Sequence, residues 1–181
     1  MTVIEPATIA RWPDVPACYD WLSLDCRGVW RLQGEPVVHG GLVRFLNASY
    51  ASDGAGNWLV RNGPQRVFVA LDYAPWVLRL EADGGVVTHT GIAAGAVEAV
   101  HLDEEGCVLL HTTVGPGLLD DRDLAAFLAA CRGVDGGLAD DSALLSVMQG
   151  GGGVFWRGLP LQAVARAEVP ARFGFCPRPR P

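Results

Sequence analysis

The chain has 181 residues, half of them apolar and 19% charged, with a formal net charge of −6 and a pI of about 5.1. That balance excludes a disordered chain, and the length suits one domain or two small halves sharing a core. All 14 cationic residues are arginines without a basic stripe, which excludes a lysine Schiff base, a Walker A loop and a nucleic-acid groove.

In chain order, residues 1–17 read as an extended lead-in anchored by Trp12. Strands at about 21–25 and 29–33 flank Asp25-Cys26-Arg27-Gly28. An Asp followed by Gly three residues later suits a type I turn closed by a left-handed glycine, the three-residue hairpin loop. Gly34-Glu35-Pro36 turns the chain again, and Leu42, Phe45 and Leu46 predict a helix over 40–49. The same turn at Asp53 to Gly56 leads into strands at 57–61 and 65–71. Pro75 cannot donate to a ladder, so 72–76 is a loop, and strands at 77–81 and 86–90 follow. A third such turn, Asp103 to Gly106, separates VEAVHL from CVLLHTT. Gly115-Pro116-Gly117 breaks the chain. LLDDRDLAAFLAAC is the strongest helix signal, capped by Asp120 or Asp121 with Leu124, Phe127, Leu128 and Cys131 as its stripe. A short helix over 141–149 stops at Gly150 to Gly153, and a closing hairpin, VFWRGLPLQAVAR, leads to the tail.

These elements repeat. LDCRGVWRL (24–32) matches LDEEGCVLL (102–110) at an offset of 78, LVRFL matches LAAFL, and WLVRNGPQRV matches FWRGLPLQAV. The expected fold is α+β: antiparallel hairpins with two or three helices, arranged as two divergent ββαββ repeats packed into one unit with a cleft between them. The segments are a lead-in (1–17), a first repeat (18–95), a second repeat (96–172) and a flexible tail (173–181).

Leu24-Asp25, Gly28 to Val37, Leu42 to Leu46, Asp53 to Arg66 and Leu71 to Trp76 follow the order (I/L)D, GxWxxxGxPI, LVxLF, DxxGxYxLxTPxEK, VEDAPF. This order resembles the bacterial family called domain of unknown function 1285 and related proteobacterial proteins, well over residues 18–80 and in outline beyond. Asn62-Gly63 replaces Thr-Pro, Gln65-Arg66 replaces Glu-Lys, and Tyr73 replaces the second acid. The resemblance implies a small two-repeat α+β protein of the bacterial cytoplasm and brings no activity with it.

Candidate ligand-binding residues are Asn62, Gln65 and Arg66 in one turn, His39 at a helix start, Asp72, and Arg157 in the second repeat. The planar fork of an arginine suits an anion or amide. Asp72 lies at the far end of the strand from Gln65, roughly 24 Å away at ~3.4 Å per residue. With a three-residue loop after Asp103, His101 and His111 share a sheet face; a two- or four-residue loop points them to opposite faces. No metal site and no cofactor are expected, and the tryptophans Trp21, Trp30, Trp58, Trp76 and Trp156 read as core. Five widely spaced cysteines without a C-x-x-C pair suit reduced thiols in the cytoplasm. Neither a secretory signal nor an apolar run of ~20 residues is expected. The function expected is a non-enzymatic regulatory module binding a small ligand or a protein partner, with no nucleic acid and no membrane. The short sheets also offer edges for a homodimer. The alternative is an enzyme of unknown class using His39, Arg66 or Asp72 in the cleft between the repeats.

Overall fold

The computed structural model describes residues 14–181; the anchor expected at Trp12 lies outside them. The described chain forms two compact units, residues 14–73 with 174–181, and residues 74–173. Among the described residues the fold is mixed α+β, with four short helices and two large sheets. Among the described residues no helix is long and apolar enough to cross a membrane.

The first unit runs β1 (Ala17–Leu24), β2 (Trp30–Leu32), β3 (Glu35–Pro36), α1 (Gly40–Ser49), β4 (Tyr50–Ser52), β5 (Trp58–Asn62) and β6 (Gln65–Leu71). Its six strands are ordered β3-β2-β1-β6-β5-β4. The Asp25 turn folds as its residues dictate. The Asp25 carboxylate accepts from the backbone N–H of Arg27 and Val29, both at 2.9 Å, and Gly28 takes φ of 75°. The α1 helix begins on His39, whose Nδ1 accepts from the Leu42 N–H at 3.2 Å. Leu42 and Leu46, four residues apart, bury the same helix face. Each contributes about 1.5–3 kcal/mol. Trp30 packs edge-on to Tyr50 and donates to the Asn47 side chain at 2.7 Å. Residues 174–181 are tied down. Leu71 N–H donates to the Pro177 carbonyl, Cys176 N–H donates to the Gly56 carbonyl, each at 2.8 Å, and Phe175 is buried.

The second unit runs β7 (Trp76–Leu80), β8 (Val86–Thr88), β9 (Val97–Leu102), β10 (Val108–Thr112) and β11 (Gly115–Leu119). A 3-10 turn (Asp121–Asp123) runs into α2 (Leu124–Ala129), then β12 (Cys131–Gly133), α3 (Asp141–Met148), β13 (Val154–Trp156) and β14 (Leu159–Ala163). A second 3-10 turn (Arg166–Glu168) enters α4 (Val169–Phe173). The strand order is β12-β13-β14-β9-β10-β11-β7-β8. The β7–β8 hairpin, which the sequence assigns to the 18–95 segment, pairs with β11 in this unit.

Three expectations need correction. The sheets are mixed, not antiparallel throughout: β1 pairs parallel with β6, β9 with β14, and β7 with β11. Each of the first two pairs closes over a helix-bearing crossover, which hairpins alone cannot supply. The helix expected to reach Cys131 stops at Ala129, because Cys131 pairs with Trp156 as the first residue of β12. Gly115-Pro116-Gly117 does not break the chain; it forms β11. Gly117 is required there, since a Cβ would lie 2.5 Å from Leu78 Cγ.

Candidate functional site

The first unit carries a pocket on the sheet face that α1 leaves uncovered, built where β1 departs from regular pairing. Cys18 aligns with Val67 but Leu22 with Val69, so β1 bulges over residues 19–21. The bulge holds Asp20 at φ of 56°, and Gln33, whose N–H donates to the Trp21 carbonyl at 2.9 Å, sits at φ of 50°. Both are left-handed positions uncommon outside glycine. Leu22, Leu24, Val69 and Leu71 are buried in the core, so the intervening paired residues Ser23 and Ala70 face the other way and are small. Above this floor is a cavity of about 310 Å³, lined by Asp20, Trp21, Ser23, Gln33, Asp72 and Arg178 among others. That is the lower end of the ligand-pocket range. Two carboxylates, one guanidinium, an amide and an indole can hold a small polar or cationic molecule. Nothing in this set pairs a nucleophile with a base.

Of the residues singled out from sequence, Asp72 alone belongs to this pocket. Asn62 and Gln65 close the β5–β6 turn, with the Asn62 amide 3.5 Å from Gln65 Oε1. Gln65 donates to the Val15 carbonyl, and the Arg66 guanidinium lies 5.7 Å from the Phe68 ring centre. These side chains serve the packing of β6 beside the start of β1. His39 is the cap of α1. Asp20, Ser23, Gln33 and Arg178 were not signalled by any motif; a two-residue bulge has no sequence signature, and Arg178 reaches the pocket only through the docked tail.

Arg157 lines a second pocket, of about 320 Å³, with Val86, Val97, Leu159 and buried Trp156 as its apolar wall. Arg157 holds φ of 50°, stacks 4.2 Å from the Trp156 ring centre and donates to the Gly84 carbonyl. That bond bridges the β13–β14 and β7–β8 turns.

The register places Leu109 opposite His101 and Ala99 opposite His111, so the two histidines share a face. The Phe173 ring packs against both, with centres 5.2 and 5.5 Å away. Burial, then the charge of Arg172, then His111, lowers the His101 pKa to about 4. Burial lowers His89 equally, to about 4. Among the described residues no three His, Cys, Asp or Glu side chains are grouped to hold a metal ion. Burial also raises the thiols of Cys18, Cys107 and Cys131, the opposite of what activates a nucleophile.

A protein-family model, DUF2944, described as "Protein of unknown function (DUF2946)", matches residues 1–180. No curated protein matches the chain. A solved structure of a DUF1285 family protein from Silicibacter pomeroyi DSS-3 superposes with a TM-score of 0.55 at 17% identity, covering 93% of this chain and 92% of that one. A second DUF1285 family protein, from Shewanella baltica OS155, gives a TM-score of 0.46 at 17% identity over 59% of this chain and 89% of its own. Both are DUF1285 family proteins, the family that residues 18–80 resemble, and the likeness to the first is one of fold.

Proposed function

The chain belongs to the family of proteins of unknown function DUF2946, and on that premise we propose that it is a non-enzymatic module that binds a small ligand on the outer face of its first sheet. One observation carries the reading: Asp20, Asp72 and Arg178 converge over the small-residue floor of Ser23 and Ala70. A bacterial cytoplasmic setting is part of the proposal, supported by five cysteines, none of them in a disulfide among the described residues.

The two units are read as divergent copies of one design, three strands, a helix and three strands, to which the second unit adds the β7–β8 hairpin and the helix α3 between β12 and β13. In support, β3-β2-β1-β6-β5-β4 reappears as β11-β10-β9-β14-β13-β12 in the second sheet. The pair Leu22–Leu32 corresponds to Val100–Leu110, and Ser23–Ala70 to His101–Gln162.

The test is a thermal-shift screen of metabolites on the native chain and on Ala70→Phe, which fills the floor from its half-exposed side. A ligand at about 100 times its Kd adds about 2.7 kcal/mol of stability. The reading requires a hit that shifts the native chain and not the variant. Hits that shift both alike place binding elsewhere.

A protein partner is the second reading. Val134 and Leu138, 82% and 71% exposed, stand on the turn that folds back and pairs with β12. Val134→Ser with Leu138→Ser would then abolish complex formation without lowering stability; an unchanged complex would refute this reading.

A further inference from the structure

Resting on the pocket and duplication just proposed, we infer that the first-unit pocket takes an arylalkylamine: a flat apolar ring joined through a short alkyl chain to a primary ammonium group. The second unit has a counterpart of the same place. At the offset of 78, Asp20, Ser23 and Gln33 correspond to Glu98, His101 and His111. The backbone agrees. Gln33 bonds to Trp21 where His111 pairs with Ala99. Asp72 N–H donates to the Leu24 carbonyl at 3.0 Å where Val164 N–H donates to the Leu102 carbonyl at 3.1 Å.

In the second unit this place is filled by the protein's own chain. The Phe173 ring of α4 lies against His101 and His111, and the neighbouring Arg172 guanidinium donates to Gln162 Oε1 at 3.3 Å. The occupant is a ring with a cation beside it. In the first unit the two floor positions have shrunk, from His101 to Ser23 and from Gln162 to Ala70, and a cavity of about 310 Å³ stands over them. Losing an imidazole and a carboxamide makes room for a ring.

The rim has changed in the matching sense. Asp72 stands where buried Val164 stood, so the pocket has two carboxylates, Asp20 and Asp72, against one guanidinium, Arg178. Trp21 replaces Ala99 and supplies an indole, which attracts cations and stacks on rings. A neutral ring would gain nothing from the carboxylates, and an aromatic carboxylate would meet Asp20 and Asp72 with like charge.

The experiment titrates the full chain with phenethylamine, phenethyl alcohol and 3-phenylpropionate, following backbone amide shifts by NMR. The native chain, Asp20→Asn with Asp72→Asn, and Ala70→Phe are compared. Asn tolerates the left-handed backbone at position 20. Phenethylamine should move the Ser23, Gln33 and Ala70 amides saturably. It should bind about tenfold more weakly to the double Asn variant, the sum of two exposed ion pairs, and not at all to Ala70→Phe. If the alcohol or the propionate binds at Ser23 and Ala70 as tightly as the amine, the ligand class is wrong and the pocket stands. If none of the three moves these amides, or the double Asn variant binds phenethylamine as tightly as the native chain does, the assignment of an arylalkylamine is overturned. If, in addition, the metabolite screen yields no hit sensitive to Ala70→Phe, the pocket reading falls as well. Should Ala70→Phe fail to fold, the double Asn variant decides the matter, because both its positions are exposed.

Discussion

Asp120 is 1% exposed and caps the 3-10 turn that links β11 to α2. Its carboxylate accepts from the Arg122 backbone N–H at 3.0 Å and from the Arg122 guanidinium at 2.8 and 2.6 Å. The Arg122 side-chain bonds, the backbone bond and the nearby Arg79 charge hold its pKa at about 2, below the ordinary 3.8, although burial works against them. A folded-state pKa below the unfolded one means that unfolding takes up protons on acidification. The stabilisation is therefore complete above the unfolded value and fades as the pH falls from about 4 to about 2. A difference of nearly two units corresponds to about 2 kcal/mol at neutral pH. Arg122 is 57% exposed, so solvent screening reduces this to about 1–2 kcal/mol. Asp120→Asn keeps the shape and removes the charge. In a unit of about 100 residues the loss lowers Tm by several degrees at pH 7. By pH 3 the gap between native and variant should shrink to about half. Thermal unfolding followed by circular dichroism at both pH values is the assay. An equal gap at pH 7 and pH 3 would refute the electrostatic account and leave only a packing defect.

Other expectations follow from single contacts. Gly56→Ala should destabilise the first unit by more than about 1 kcal/mol, because φ is 94° and a Cβ would lie 2.9 Å from the Gly174 carbonyl oxygen. Gly54→Ala, also left-handed but facing open space, should cost less, and urea unfolding separates the two. Buried neutral His101 gives the opposite linkage to a histidine whose pKa is raised by an acidic partner. Its pKa, lowered to about 4, withdraws stability as pH falls from about 6.5 toward 4. His101→Gln should flatten that decline in denaturant titrations. Arg157→Gln should leave the core intact but release the β7–β8 turn from Gly84, visible as faster amide exchange at residues 83–85.

Much of the architecture was legible because short local rules governed it. The helix over 40–49 follows from a capping His39 and the Leu42–Leu46 spacing. The Asp103 turn fixed the loop length, and with it the shared face of His101 and His111. Non-local choices were not legible. Whether Cys131 ends a helix or begins β12 depends on Trp156, twenty-five residues away in sequence. Pro116 looks like a breaker until β7 and β10 enclose it. The site fared worse than the fold. Asp72 could be picked as a polar residue in an apolar setting, but its companions Asp20, Gln33 and Arg178 gather through a bulge, a left-handed backbone and a docked tail. None of these leaves a periodic mark. Conversely, the Asn62–Gln65 turn drew attention by composition and serves to hold β6 beside the start of β1.

The most direct measurement of the central claim is an amide-shift map of the native chain against a library of small charged and neutral aromatic fragments. The account predicts that perturbations cluster at Asp20 to Ser23, Gln33 and Ala70 to Asp72, and spare the corresponding residues His101, His111 and Gln162 under Phe173. Perturbations at His101 and Gln162 with none at Ser23 and Ala70 would contradict it.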